Sequence, residues 1–169
     1  MKVGFHAGEE WNEIIARKQG EISSAGVTFW GYGGSACHPL RQVQPFAHQC
    51  EEDVVVAMLW TESRPLSPSR TAEEMSVDGE HWQPLPPAVR ITGSKWALVL
   101  DQLNACEETV DLGVYEIGVG PSAGKLATAY LRGQSDKACV RRSAVRTRPD
   151  PRTVVACGQL AEPWAVFLR

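Results

Sequence analysis

The sequence predicts an α+β fold: a single β-rich domain of mixed or antiparallel sheet, with an N-terminal amphipathic helix packed on it and one further short helix. Three observations carry this. Helical periodicity is clear only once, near the N-terminus, where Trp11, Ile14, Ile15 and Lys18 recur at i, i+3, i+4 and i+7. Most of the remainder breaks into short β-branched and aromatic runs bounded by Gly, Pro, Ser and Asp. The chain is 169 residues, 43% hydrophobic and 22% charged, with no composition break that marks a domain boundary.

The helix is expected over residues 9–19, with Gly8 at its N-cap, Glu9 and Glu10 in the first turn where the dipole favours anions, and Gly20 as its stop. Gly26 to Trp30 reads as a strand, and Asp53 to Trp60 as a continuous apolar run suited to a central strand. Residues 61–87 dissolve into Ser, Pro, Glu and Gly around one short helical turn at Thr71 to Met75; a loop of that length is usually functional or mobile. Ala88 to Thr92 and Lys95 to Asp101 flank Gly93-Ser94 and predict a hairpin. Asp111 to Val119 is a further strand, Ser122 to Arg132 a second helix, and Thr153 to Cys157 and Pro163 to Leu168 two closing strands.

Composition excludes disorder, collagen and a disulfide scaffold. No apolar run approaches the ~18 residues of a membrane span, and Glu9 and Glu10 interrupt the N-terminus before an h-region forms. The expectation is a soluble cytoplasmic protein. Five cysteines at irregular spacing, Cys37, Cys50, Cys106, Cys139 and Cys157, read as reduced thiols. Cys37, His38, His48 and Cys50 gather metal-ligating types, but without the paired spacings of a zinc site, so no metal is expected.

The net charge of -3 is unevenly distributed. Residues 1–120 carry 8 Lys and Arg against 17 Asp and Glu, whereas residues 121–169 carry 9 against 3. A basic loop at 141–152 holds Arg141, Arg142, Arg146 and Arg148. Guanidinium groups pair bidentately with phosphate oxygens, so this loop is a candidate site for a nucleotide or nucleic-acid phosphate. The alternative is that these arginines pair with the acidic N-terminal two-thirds.

Gly118 to Lys125 looks like a phosphate loop but has Val119 at the first glycine position and Leu126 at the hydroxyl position, which excludes a nucleoside triphosphatase. What remains is a possible anion site on backbone amides at the helix start. Phe29-Trp30-Gly31-Tyr32-Gly33-Gly34 interleaves three aromatics with three glycines after a strand. The glycines let a flat ligand approach the backbone and the rings offer stacking faces; the competing reading is a tight turn with core aromatics. His6 stands shortly before the helix, and no nucleophile elbow accompanies it.

Phe5-His6-Ala7-Gly8, the helix from Trp11 to Gly20, the strand Gly26 to Gly34 and the run Val54 to Trp60 together resemble the opening of the ADP-ribosyltransferase superfamily, in particular the poly(ADP-ribose) polymerases and DarT-type DNA ADP-ribosyltransferases. The resemblance spans about sixty residues and one C-terminal strand. It implies NAD as cofactor, His6 on the cofactor ribose, and Phe29, Trp30 or Tyr32 stacking on nicotinamide beside Gly33 and Gly34. It also implies a catalytic Glu162 before the last strand, with Glu116 as second match. Ala7, Phe29 or Trp30, and Pro163 depart from the family pattern. The chemistry is coherent: cleaving the bond to nicotinamide develops positive charge on the ribose, which a carboxylate stabilises. Two other classes stay open. One is a non-catalytic nucleotide or nucleic-acid binding module using the aromatic-glycine platform and the basic loop. The other is a protein-interaction or inhibitor domain.

Overall fold

The computed structural model describes residues 1–4, 9–32, 39–50, 53–61, 70–132 and 137–169. Its elements in chain order are β1 (Lys2–Val3), α1 (Trp11–Ala25), β2 (Thr28–Tyr32), α2 (Pro39–Gln49), β3 (Val55–Trp60), β4 (Glu74–Ser76) and β5 (Gln83–Pro84). Then come β6 (Trp96–Asp111), a 3-10 turn (Leu112–Val114), β7 (Tyr115–Ile117), α3 (Ala127–Leu131), β8 (Val140–Arg142) and β9 (Pro151–Leu168). This is an α+β architecture. Among the described residues no helix is long and apolar enough to cross a membrane.

The main sheet is built on two long antiparallel strands, β6 and β9, paired from Trp96↔Phe167 to Asp111↔Pro151. β2 adds antiparallel to β6, β3 adds antiparallel to β9, and β1 lies parallel to β3. β4 pairs with the C-terminal end of β9, and β5 with β4. A second small sheet joins β7 and β8. Strand alternation separates two apolar layers. One, with Tyr32, Val56, Met58, Leu98, Leu100 and Ala165, is covered by Ile15 of α1 and Leu40 and Val43 of α2. The other, with Phe29, Ala97, Val99 and Val166, is covered by Ala72, Val89 and Ile91.

Several elements differ from the sequence expectation. α1 does not stop at Gly20 but runs to Ala25, because buried Glu21 and half-buried Ile22 continue its inward face. It ends at Gly26, whose φ of 77° suits glycine and whose N–H reaches the Ile22 carbonyl at 2.8 Å. α2 was not expected, since Pro45 lies in its interior and removes a helical hydrogen bond. The predicted hairpin at Gly93-Ser94 does not form. Thr92 bridges to Thr71, Gly93 N–H donates to the Arg70 carbonyl, and β6 takes β2 and β9 as its neighbours. The turn expected at Thr71 to Met75 is extended and leads into β4. Asp111 to Val119 shortens to the 3-10 turn and β7, and the second helix to five residues. The two closing strands merge into β9. Leu98 faces Ala165 while Leu100 faces Leu160, so residues 161–164 bulge from the ladder.

A tight turn follows β4. Asp78 Oδ1 accepts from the backbone N–H groups of Glu80 and His81 at 2.7 and 2.8 Å and from Ser76 Oγ, and Oδ2 meets His81 Nδ1. These donors, the His81 backbone first, hold the Asp78 carboxyl well below the usual carboxylate range. A carboxylate with a depressed folded pKa contributes stability that is present above its unfolded value near 3.8 and lost as pH falls through the folded one. Asp78→Ala is therefore expected to lower the urea midpoint at neutral pH, with the gap to the parent chain closing as pH drops below about 4. A gap that is constant with pH is the contrary result.

Candidate functional site

Where β3 meets α2 and the β7–β8 sheet, a cavity of about 420 Å³ opens. Its walls are largely apolar: Val43 and Phe46 come from α2, Val56 and Leu59 from β3, and Leu112 and Leu131 from the layer beneath β7. Polar groups enter from a few directions. Tyr32, at the end of β2, is buried, and the Lys137 ammonium stands 4.8 Å from its ring centroid. Arg141 lines the same cavity, with Asp53 as an acidic neighbour in the wall.

The Arg141 position follows from strand register. Glu116 and Arg141 are directly opposed in the β7–β8 ladder, and Arg141 Nε donates to Glu116 Oε1 at 3.0 Å. Ser143 Oγ donates to the other carboxylate oxygen. Arg141 first, then Ser143, hold the Glu116 carboxyl below its ordinary range. The Arg141 side chain remains 60% exposed beyond that bond, so its guanidinium edge stays accessible to an anion. Apolar walls, an aromatic ring under a cation and a second cation suit a ligand that combines an apolar or ring-bearing body with negative charge.

The sequence-selected residues are distributed as follows. Tyr32 lines the cavity. Phe29 does not: it is 1% exposed inside the opposite apolar layer, so stacking on a ligand would require opening the core. Trp30 meets Trp11 edge-on with centroids 6.1 Å apart, and Trp11 meets Trp60 in the same way. That places Trp30 in an aromatic cluster under α1. Glu162 is exposed in the β9 bulge, in a separate surface groove with His48, Gln83 and Trp164. α2 divides the two sites, sending Val43 and Phe46 to the cavity, while Gln44 donates to the Pro163 and Ala165 carbonyls and the His48 ring packs on Trp164. Tyr32 and Glu162 are thus not brought to one cavity. His6, Gly33, Gly34, Cys37 and His38 lie outside the described residues.

Of the basic loop, Arg141 is engaged with Glu116 and Arg142 lies over the Tyr115 ring at 5.9 Å. Arg146 sits in the electrostatic range of Asp111, and Arg148 is exposed. Only part of the cluster is therefore tied into the fold. The phosphate-loop lookalike is a hydrogen-bonded turn. Gly118, Ala123, Gly124 and Lys125 donate to the carbonyls of Cys139, Gly120, Ile117 and Ser122, so these four amides are not open to an anion. Among the described residues, no three His, Cys, Asp or Glu are arranged to hold a metal ion. Sequence reasoning missed Lys137 as a site residue. It is one of the nine Lys and Arg of residues 121–169, and nothing local signals that it lies over Tyr32.

Fold and site together define an α+β domain with a cation-edged apolar cavity against its central sheet. Compared with known protein families, curated proteins and solved structures, the chain matches none significantly.

Proposed function

We propose that the chain binds an anionic, ring-bearing small molecule of the nucleotide class in this cavity, as a cytoplasmic ligand-binding domain. The observation that carries the reading is the Lys137 ammonium over the Tyr32 ring in an apolar cavity that Arg141 also lines. The apolar walls take the base or nicotinamide-like ring, and the two cations take phosphate oxygens. NAD is the member of this class that the resemblance to ADP-ribosyltransferases implies. Transferase chemistry further needs a carboxylate at the ribose, and the separate groove of Glu162 leaves binding as the better supported half of that reading.

The test is a calorimetric titration of the full chain with NAD, ADP-ribose, AMP and a short single-stranded oligonucleotide. A nucleotide is expected to bind, and Lys137→Ala to weaken it by roughly 10- to 100-fold, the loss of one charge-assisted bond. Binding of the oligonucleotide alone, weakened by Arg146→Ala and Arg148→Ala but not by Lys137→Ala, would replace this reading with nucleic-acid binding through the basic loop. Silence from every probe would overturn it. Release of nicotinamide from NAD that Glu162→Gln abolishes would restore the enzyme reading.

A further inference from the structure

Cys50, Cys106, Cys139 and Cys157 are all thiols, and two of them face each other. Cys106 on β6 and Cys157 on β9 are 51 positions apart in sequence, yet their Sγ atoms are 3.3 Å apart. The sheet register explains the approach. Ala105 is paired with Ala156, so Cys106 and Cys157 are diagonal neighbours across the ladder. The ladder then shifts between Ala105 and Glu108, three steps on β6 against two on β9, which places Cys106 in a bulge. Both residues are half-buried, at the edge of the apolar cluster formed by Leu59, Leu112, Leu131 and Val154.

We propose that Cys106 and Cys157 form a reversible dithiol–disulfide modification site, oxidised by a hydroperoxide and reset by a thiol reductant. Closing the bond takes the sulfurs from 3.3 Å to about 2.05 Å, a movement that side-chain rotation on two paired strands supplies without separating them. This site stands whether or not the cavity takes a nucleotide.

Burial, then the hydrogen bond with Cys157 and the nearby Glu108, push the Cys106 thiol up to about 11, so Cys106 keeps its proton at neutral pH. One sulfur of the pair attacks first. Its thiolate forms an S–O bond with the peroxide as the O–O bond breaks, leaving a sulfenic acid and, after protonation, one water. The other sulfur then attacks the sulfenic sulfur. The S–S bond forms, the S–O bond breaks, and the hydroxyl leaves as a second water with the proton of that second thiol. Two thiols lose two electrons and one hydrogen peroxide becomes two waters. Because the reacting species is a thiolate, the reaction accelerates as pH rises.

The test treats the folded chain, and a form with Cys37, Cys50 and Cys139 changed to Ser, with stoichiometric hydrogen peroxide, followed by non-reducing peptide mapping. The expected product joins the Cys106 and Cys157 peptides at a mass about 2 Da below their sum and disappears with dithiothreitol. Joining should be at least tenfold faster in the folded chain than in guanidinium, since the fold supplies the proximity. In Cys106→Ser, with its fold checked by circular dichroism, a dimedone adduct should accumulate on Cys157. If the triple-Ser form does not fold, mapping the parent chain decides the matter. Sulfinic acid at either cysteine without a joined peptide, or joining no faster in the folded chain than in denaturant, would overturn the proposal.

Discussion

Glu21→Ala is expected to lower the unfolding free energy by about 3–5 kcal/mol. Glu21 is 3% exposed at the inner face of α1. It accepts from Lys18 Nζ at 2.9 Å, Thr28 Oγ1 at 2.5 Å, the Arg90 backbone N–H at 3.2 Å and Arg17 Nη1 at 3.3 Å. Lys18, 5% exposed, also donates to the Arg90 carbonyl. Removing the carboxylate leaves a buried ammonium, a buried hydroxyl and a backbone amide without their acceptor. The pair therefore fastens α1 to β2 and to the segment before β6. Replacing both partners together, as Lys18→Met with Glu21→Leu, should be far milder than Glu21→Ala, because no charge is then stranded. Urea unfolding of the three variants checks this, and a double variant as damaged as the single one is the contrary result.

The same site has a pH signature. Burial, opposed by Glu21, lowers the Lys18 pKa below 10.5. Between the folded and unfolded values the unfolded chain binds more protons, so stability from this group rises with pH there. In Glu21→Ala the opposing attraction is gone and the folded value drops further. The variant should then regain stability over a wider alkaline range than the parent, readable from urea midpoints across that range.

Leu100→Ala is the second large effect, at about 2–5 kcal/mol. Leu100 is fully buried in β6 beneath α1 and α2, paired with Leu160 and close to Gly158 on β9. A Cβ added at Gly158 would meet the Gln102 carbonyl oxygen at 3.0 Å and the Leu100 Cδ1 at 3.2 Å. Gly158→Ala alone is thus expected to destabilise by about 1–3 kcal/mol through overpacking. Combined with Leu100→Ala, which vacates one of those contacts, the pair should cost less than the sum of the singles. The carbonyl contact keeps the relief partial. Strict additivity in denaturant unfolding would show that the two side chains do not share that space.

How far the sequence was readable follows from the range of the forces involved. α1, β2 and β3 were legible because their apolar spacing repeats every 3.6 residues or runs as a short apolar block. α2 was masked by Pro45, whose missing N–H argues against a helix interior that packing of Leu40, Val43 and Ala47 nonetheless maintains. β6 beyond Asp101 carries Gln102, Asn104, Glu107 and Glu108, which no apolar pattern marks, and it is a strand because β9 offers it ladder partners as far as Asp111. At the site, Tyr32 could be selected from its glycine-aromatic context. Phe29 and Trp30 could not be separated from it, since only the direction of the side chain distinguishes core, aromatic cluster and cavity wall.

The α+β class, the N-terminal helix, the apolar strand runs and the charge division are legible in the chain alone, because all are properties of neighbouring residues. Which residues meet is set by the fold. It set Lys137 over Tyr32, Arg141 opposite Glu116, Cys106 against Cys157, and Glu162 in a groove apart from the cavity. These are contacts between distant segments, fixed by strand register and by a few bulges in the β6–β9 ladder, where a shift of one residue turns a side chain to the other face.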